Sequence, residues 1–185
     1  TTFADDSFCY GLVSAGICQK QANSMVTPFT ADIDLSLVTV NDGEVSTTLN
    51  QPFAPSGSEQ RFGRVAMKNV FGSELVDLTM PMQAEYFNGN NFVANVDDIL
   101  CSEIKTANLS APTALPSTVS VVNEFANMGL FDVLLTAPGA GNNGSITVIP
   151  ELNPDPLVVD DKWLQFDWDG DGLHDENPAG TATFG

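Results

Sequence analysis

The sequence predicts an all-β fold: an antiparallel β-sandwich, of jelly-roll or immunoglobulin-like type, with long loops. Three observations lead there. No stretch carries the sustained 3.6-residue apolar period of an amphipathic helix. About nine short stretches alternate polar with apolar residues, or are rich in Val, Thr, Phe and Leu, as half-buried strands are. Turn signals built from Gly, Asn and Pro stand between them. A chain of 185 residues is long enough for one sizeable core. We read 1–185 as a single domain with an irregular leading segment, 1–29. If the chain divides, the Ala-, Pro- and Ser-rich stretch 105–117 is the place.

The leading segment is punctuated by Cys9, Gly11, Gly16, Cys18 and Pro28. Asp32-Ile33-Asp34-Leu35-Ser36-Leu37 alternates strictly and predicts a strand with Ile33, Leu35 and Leu37 inward. Asn41-Asp42-Gly43 is a hairpin signal, with 44–49 as the partner strand and 50–60 as a loop. Residues 61–70 read as one strand. It holds Arg61, Arg64 and Lys68, three of the six basic residues. Pairing with neighbouring carboxylates explains them more simply than an anion clamp. In 78–86, Leu78, Met80, Met82, Ala84 and Tyr86 face inward, and Pro81 points to an edge position because it lacks a ladder N–H. Asn88-Gly89-Asn90-Asn91 turns the chain into a return strand from Phe92. Strands are expected at 119–122 and 130–136, with one helical turn as an option for 122–128. The Pro138–Gly144 turn suggests a hairpin between 130–137 and 145–149. Pro150, Pro154 and Pro156 interrupt the chain before Leu157-Val158-Val159. Thr181–Phe184 is a last short strand.

Charge narrows the partners. Twenty-four acidic residues face six basic ones, a formal net charge of −18. Nucleic acid is excluded, since phosphate binding needs clustered Lys and Arg. An anionic membrane surface is disfavoured on the same ground. No run of eighteen apolar residues predicts a membrane span. No signal peptide is visible and the chain does not start with Met, so it reads as a mature fragment or an excised domain. Few Lys with many Thr, Ser, Asn and Gly suit an exported bacterial protein, extracellular or at the cell surface. In that setting two of Cys9, Cys18 and Cys101 would form a disulfide. Cys9–Cys18 would close a local loop, and Cys18–Cys101 would tie the leading segment to the body.

The most informative stretch runs from Trp163 to Glu176. It ends in Asp167-Trp168-Asp169-Gly170-Asp171-Gly172-Leu173-His174-Asp175, with acids at alternate positions and glycines in the turn. A hard cation such as calcium takes six to eight oxygen ligands at short range. Asp167, Asp169 and Asp171 would offer carboxylates, Leu173 its carbonyl, and Asp175 or Glu176 would close the shell. Gly170 and Gly172 permit the turn. It is not an EF-hand, because the twelfth position from Asp167 is Pro178. The simpler reading is an Asx-rich turn; calcium is the expectation, with magnesium disfavoured. His174 reads as an exposed loop residue. Asp97 and Asp98 are open to a part in a metal site, but paired Asp at a strand end reads first as solvated. Trp163, Trp168, Tyr86 and Phe87 are candidates to stack on a sugar; core packing is the simpler reading, preferred for Trp168 and left open for Trp163.

Several ordered segments carry a resemblance: Gln60–Val65, Asn69–Leu75, Met80–Gly89, Asn95–Cys101, Lys162–Gly170 and Asn177–Gly185. Together they resemble the C-terminal domain of MshQ-like proteins, associated with biogenesis of the mannose-sensitive haemagglutinin type IV pilus. The resemblance implies a surface protein encoded with pilus machinery, and it carries over no catalytic residue. Two departures stand out. Asp97-Asp98-Ile99-Leu100-Cys101 is longer than the usual Asp-Ser-Cys-Thr pattern, which leaves the partner of Cys101 open. The chain also stops at Phe184-Gly185, so the final strand would be incomplete or completed by another chain.

No constellation for acyl transfer is visible, and no carboxylate pair stands out for glycoside hydrolysis. The expectation is therefore a non-catalytic, calcium-stabilised surface domain acting in adhesion or extracellular assembly. Its partners would be pilus or cell-surface assembly proteins or glycans. The alternative is a homo-oligomeric or filament subunit completed by a neighbour's strand, and a glycan-active enzyme ranks below both.

Overall fold

A computed structural model describes residues 9–10, 17–18, 25–30, 35–41, 43–44, 46–53, 59–154 and 161–185. Three small antiparallel sheets come first. β1 (Cys9–Tyr10) pairs β2 (Ile17–Cys18). β3 (Phe29–Thr30) pairs a strand at 59–60. β4 (Leu35–Asn41) pairs β5 (Ser46–Phe53) around Gly43, whose φ of 95° suits the turn expected there. The partner strand runs further than expected, into the stretch read as loop. Ile33 and Leu157-Val158-Val159 lie outside the described residues, as do the side chains of Leu35 and Leu37.

The remaining strands form a β-sandwich. The strand at 59–60 is β6 (Glu59–Gln60); the sandwich strands are β7 (Gly63–Met67), β8 (Val70–Gly72), β9 (Leu78–Phe87), β10 (Phe92–Ala94), β11 (Ile99–Glu103), β12 (Leu109–Ser110), β13 (Val119–Val121), β14 (Phe125–Asn127), β15 (Leu130–Leu135), β16 (Gly144–Pro150) and β17 (Gly180–Phe184). Seven strands make one sheet around β9, in the order β10-β9-β15-β14-β11, with β7 also on β9 and β13 on β15. Four make the other, in the order β12-β16-β17-β8. Among the described residues no helix is long and apolar enough to cross a membrane.

Period-2 alternation produces this core. Along β9 the buried positions are Met80, Met82 and Ala84, and along β15 they are Phe131, Val133 and Leu135. β16 and β17 answer with Ile146, Val148, Ala182 and Phe184. Each fully buried Val, Leu, Ile, Phe or Met among them is worth roughly 1.5–3 kcal/mol relative to exposure. The two layers meet closely at Gly180: a Cβ there would lie 2.7 Å from Met80 Sδ and 3.1 Å from Met67 Cβ.

The structure corrects five expectations. Residues 61–70 form two strands, not one: β7 lies in the seven-stranded sheet and β8 in the four-stranded sheet, with Lys68-Asn69 as the corner. Pro81 is central. Its carbonyl accepts the Lys68 N–H at 3.1 Å, so its nitrogen faces the same edge. That is where the β7 pairing stops, at Met67 opposite Met82, and a missing N–H costs nothing. Residues 125–127 are a strand, not a helical turn. Met128 (φ 54°) and Gly129 (φ 75°) turn β14 tightly into β15, with Asn127 opposite Leu130. β15 and β16 are not a hairpin, because they belong to different sheets; the Pro138–Gly144 segment crosses between layers. The last strand is paired on both edges, antiparallel to β16 and parallel to β8. A strand from a neighbour would have to join elsewhere.

Candidate metal centre

The acidic loop hangs from a stalk anchored in the core. Leu164, in a short 3-10 helix (Asp161–Leu164), is 1% exposed, and Trp163 packs against the same core. Gln165 is buried, and its Nε2 donates to the Asp175 carbonyl at 2.8 Å and to Asn177 Oδ1 at 3.2 Å. Asn177 Oδ1 also accepts the Leu152 N–H at 3.1 Å. The Phe166 N–H donates to the Glu176 carbonyl at 3.1 Å and closes an antiparallel bridge. Residues 167–175 are thereby held as a loop whose two ends lie side by side.

Within it, carboxylates organise the backbone. Asp167 accepts the Gly170 N–H at 2.7 Å and the Gly172 N–H at 3.2 Å. Asp169 accepts the Asp171 N–H at 3.1 Å, and Asp171 accepts the Leu173 N–H at 2.7 Å. The Asp169 and Asp171 contacts are Asx turns, while Asp167 reaches further round the loop. Gly170 and Gly172 take φ of 83° and 87°, a region costly for other residues.

Asp167, Asp169 and Glu176 come together: one carboxylate oxygen from each lies within 4.8 Å of the others. Glu176 Oε2 also accepts the Trp168 N–H at 3.2 Å. Its carboxyl is held above the usual glutamate range. Desolvation is the main cause; the Trp168 N–H works the other way, the Asp169 carboxylate adds repulsion, and Asp175 adds a side-chain hydrogen bond and repulsion. The donor set suits a hard cation. All three donors are carboxylates, and an oxygen that accepts one N–H keeps a lone pair for a metal.

Of the other expected ligands, Asp171 and Leu173 are exposed, and Asp171 is engaged in its own turn. Asp175 contributes its carbonyl to Gln165. Trp163, left open between core and ligand contact, packs against the core, while Trp168, expected in the core, is 42% exposed. Tyr86 has one face covered by Arg61, whose guanidinium lies 4.4 Å from the ring centre.

The loop leans on a cationic and aromatic wall. Arg64 stacks over Phe92 at 3.7 Å and lies 5.0 Å from both Phe166 and Trp168. Its Nη2 pairs Glu85 at 2.8 Å. His174 packs edge-on against Phe62 and Phe166, each at 5.4 Å, so it is not the free loop residue expected. Arg61 pairs Glu59 and Asp97 at 2.6 and 2.7 Å. Simple ion pairing therefore accounts for both arginines. Asp98 is buried, not solvated, with Ser102 donating its N–H and Oγ–H to the carboxylate at 3.1 and 2.6 Å.

Sequence reasoning missed the roles of Asn177 and Phe92. The Asn177-Pro178 pair was a readable turn signal; nothing local marked Phe92 as the platform for Arg64.

A family model described as DUF6701, fourth domain, matches residues 61–185. The chain belongs to this DUF6701 fourth-domain family. Comparison with curated proteins finds no match, and neither does comparison with solved structures. The DUF6701 match spans every strand of the two large sheets and the whole acidic loop, while β1 to β6 precede it.

Proposed function

We propose that this DUF6701 fourth domain is an exported, non-catalytic bacterial surface domain. In this reading its Asp167–Glu176 loop takes a calcium ion through Asp167, Asp169 and Glu176, and the ion fixes the loop and the exposed Trp168. The convergence of those three carboxylates carries the reading. Three acids at such short range repel one another, and a divalent cation converts that repulsion into attraction. The segments around Arg61–Val65, Met80–Gly89 and Lys162–Gly170 support a place among MshQ-like, pilus-associated proteins. The strong negative charge supports a calcium-containing extracellular setting. Its work there is adhesion or pilus-linked assembly, with cell-surface proteins or glycans as partners.

The test uses the full-length parent protein in its own cells. Antibody to this domain should label unpermeabilised cells. Deleting the domain should reduce attachment to glycan-coated or abiotic surfaces, and chelation should mimic part of that loss. Normal pili with poor attachment assign adhesion, and absent pili assign assembly. Labelling only after permeabilisation, or attachment and piliation both unchanged, contradicts the proposal.

A further inference from the structure

The three cysteines leave two pairings open by sequence, and the backbone distinguishes them. β1 and β2 run antiparallel with Cys9 directly opposite Cys18 and Tyr10 opposite Ile17. Directly opposed residues of antiparallel strands have Cα atoms about 4.5–5.5 Å apart. That falls inside the range of about 4.4–6.8 Å that a disulfide spans. Cys101 sits in β11, within the seven-stranded sheet, between the Ile99–Asn127 and Glu103–Phe125 pairings. Cys18 is therefore already matched to Cys9 by a strand pairing of its own.

A second argument is physical. Among the described residues the β1–β2 ladder has two residues per strand, and a short two-stranded ladder is marginal in water. Small β-elements without a core of their own are commonly held by a covalent staple. We infer that Cys9 and Cys18 form a cross-strand disulfide that staples the β1–β2 hairpin, and that Cys101 stays outside it. The bond rests on the exported setting proposed above, because cytosolic thiols are kept reduced. The pairing preference rests on the fold alone. The chemistry balances with a disulfide oxidant such as oxidised glutathione. One thiolate attacks the glutathione disulfide and releases one glutathione. The second thiolate then attacks the mixed disulfide and releases the other. Two thiols are oxidised and one glutathione disulfide is reduced to two thiols, which take up the protons.

The experiment separates pairing from export. The purified, reduced chain is equilibrated with oxidised glutathione, blocked with an alkylating reagent and digested with trypsin. The peptide ending at Lys20 carries both Cys9 and Cys18. It should be lighter by two hydrogens and take no alkyl group, whereas Cys101 should be alkylated. Chymotryptic cleavage after Tyr10 should leave two fragments joined, and Cys101→Ser should change none of this. A linked peptide containing Cys101 overturns the pairing, as do alkylated or singly glutathionylated Cys9 and Cys18. Recovery of the chain from its native cells with both thiols free, while the purified chain oxidises as described, would overturn the exported setting and leave the pairing intact.

Discussion

At the residue scale, the acidic loop divides its acids into two jobs. Asp167, Asp169 and Glu176 converge, while Asp171 closes a turn over Leu173. The alternating acids were legible in the sequence, because only a few structural uses require Asp at every second position with Gly between. Which acids would face one centre was not legible. The Phe166–Glu176 bridge decides that by bringing Glu176 beside Asp167, and no local pattern encodes it. The division predicts unequal mutants. Asp171→Ala should lower stability by only about 0.5–1 kcal/mol, the worth of one exposed hydrogen bond, and should keep any melting response to calcium. Asp169→Ala should abolish the response, and the Asp169→Ala, Asp171→Ala double variant should lose it too. Thermal melts with and without calcium check both, and an equal response in the two single variants would refute the division.

Glu176 gives a pH prediction at the same scale. Its carboxyl is raised above the ordinary glutamate value, first by desolvation and then by Asp169 and Asp175. The folded chain therefore binds a proton more tightly than the unfolded one. Without divalent cation, stability should fall as pH rises from the ordinary glutamate value through the raised one. Glu176→Gln should flatten that slope. Chelator-treated melts across mildly acidic pH measure it, and a wild-type stability that rises through the interval would show the sign to be wrong.

At the scale of elements, strand existence was legible and sheet membership was not. The period of two that marks 78–87 and 130–135 states which face is buried, but not which neighbour lies alongside. The Pro138–Gly144 turn therefore looked like a hairpin when it is a crossing between layers. Pro81 looked like an edge residue when it sits where β7 leaves for the second sheet. Close approach of the layers was also invisible, because a glycine in Gly180-Thr181-Ala182 reads as ordinary turn chemistry. Here Gly180→Ala should cost about 1–3 kcal/mol through overpacking. Met80 can shift its sulfur, but Met67 Cβ at 3.1 Å cannot move without its strand. Denaturant melts measure the loss, and an unchanged midpoint would mean that the layers relax apart at no cost.

At the scale of the whole molecule, the buried cluster described here runs from Val65 to Phe184. It lies inside the 61–185 family match. The fragment 61–185 should therefore fold on its own, with a single cooperative melt and dispersed amide resonances; a collapsed spectrum would show that the leading segment completes the core. The net charge of −18 acts across the same whole. It leaves the folded chain repelling itself, so any added salt raises stability somewhat. A specific ion must do more than that.

The direct test of the central claim is the melting temperature of the chain in calcium and in chelator, at one ionic strength. A bound ion that prefers the folded state should raise it with calcium concentration. Magnesium should do much less, because it gives up its waters reluctantly and demands octahedral geometry. Identical melts in calcium and in chelator would contradict the account and leave the Asp167–Glu176 loop as a turn held by its own Asx hydrogen bonds.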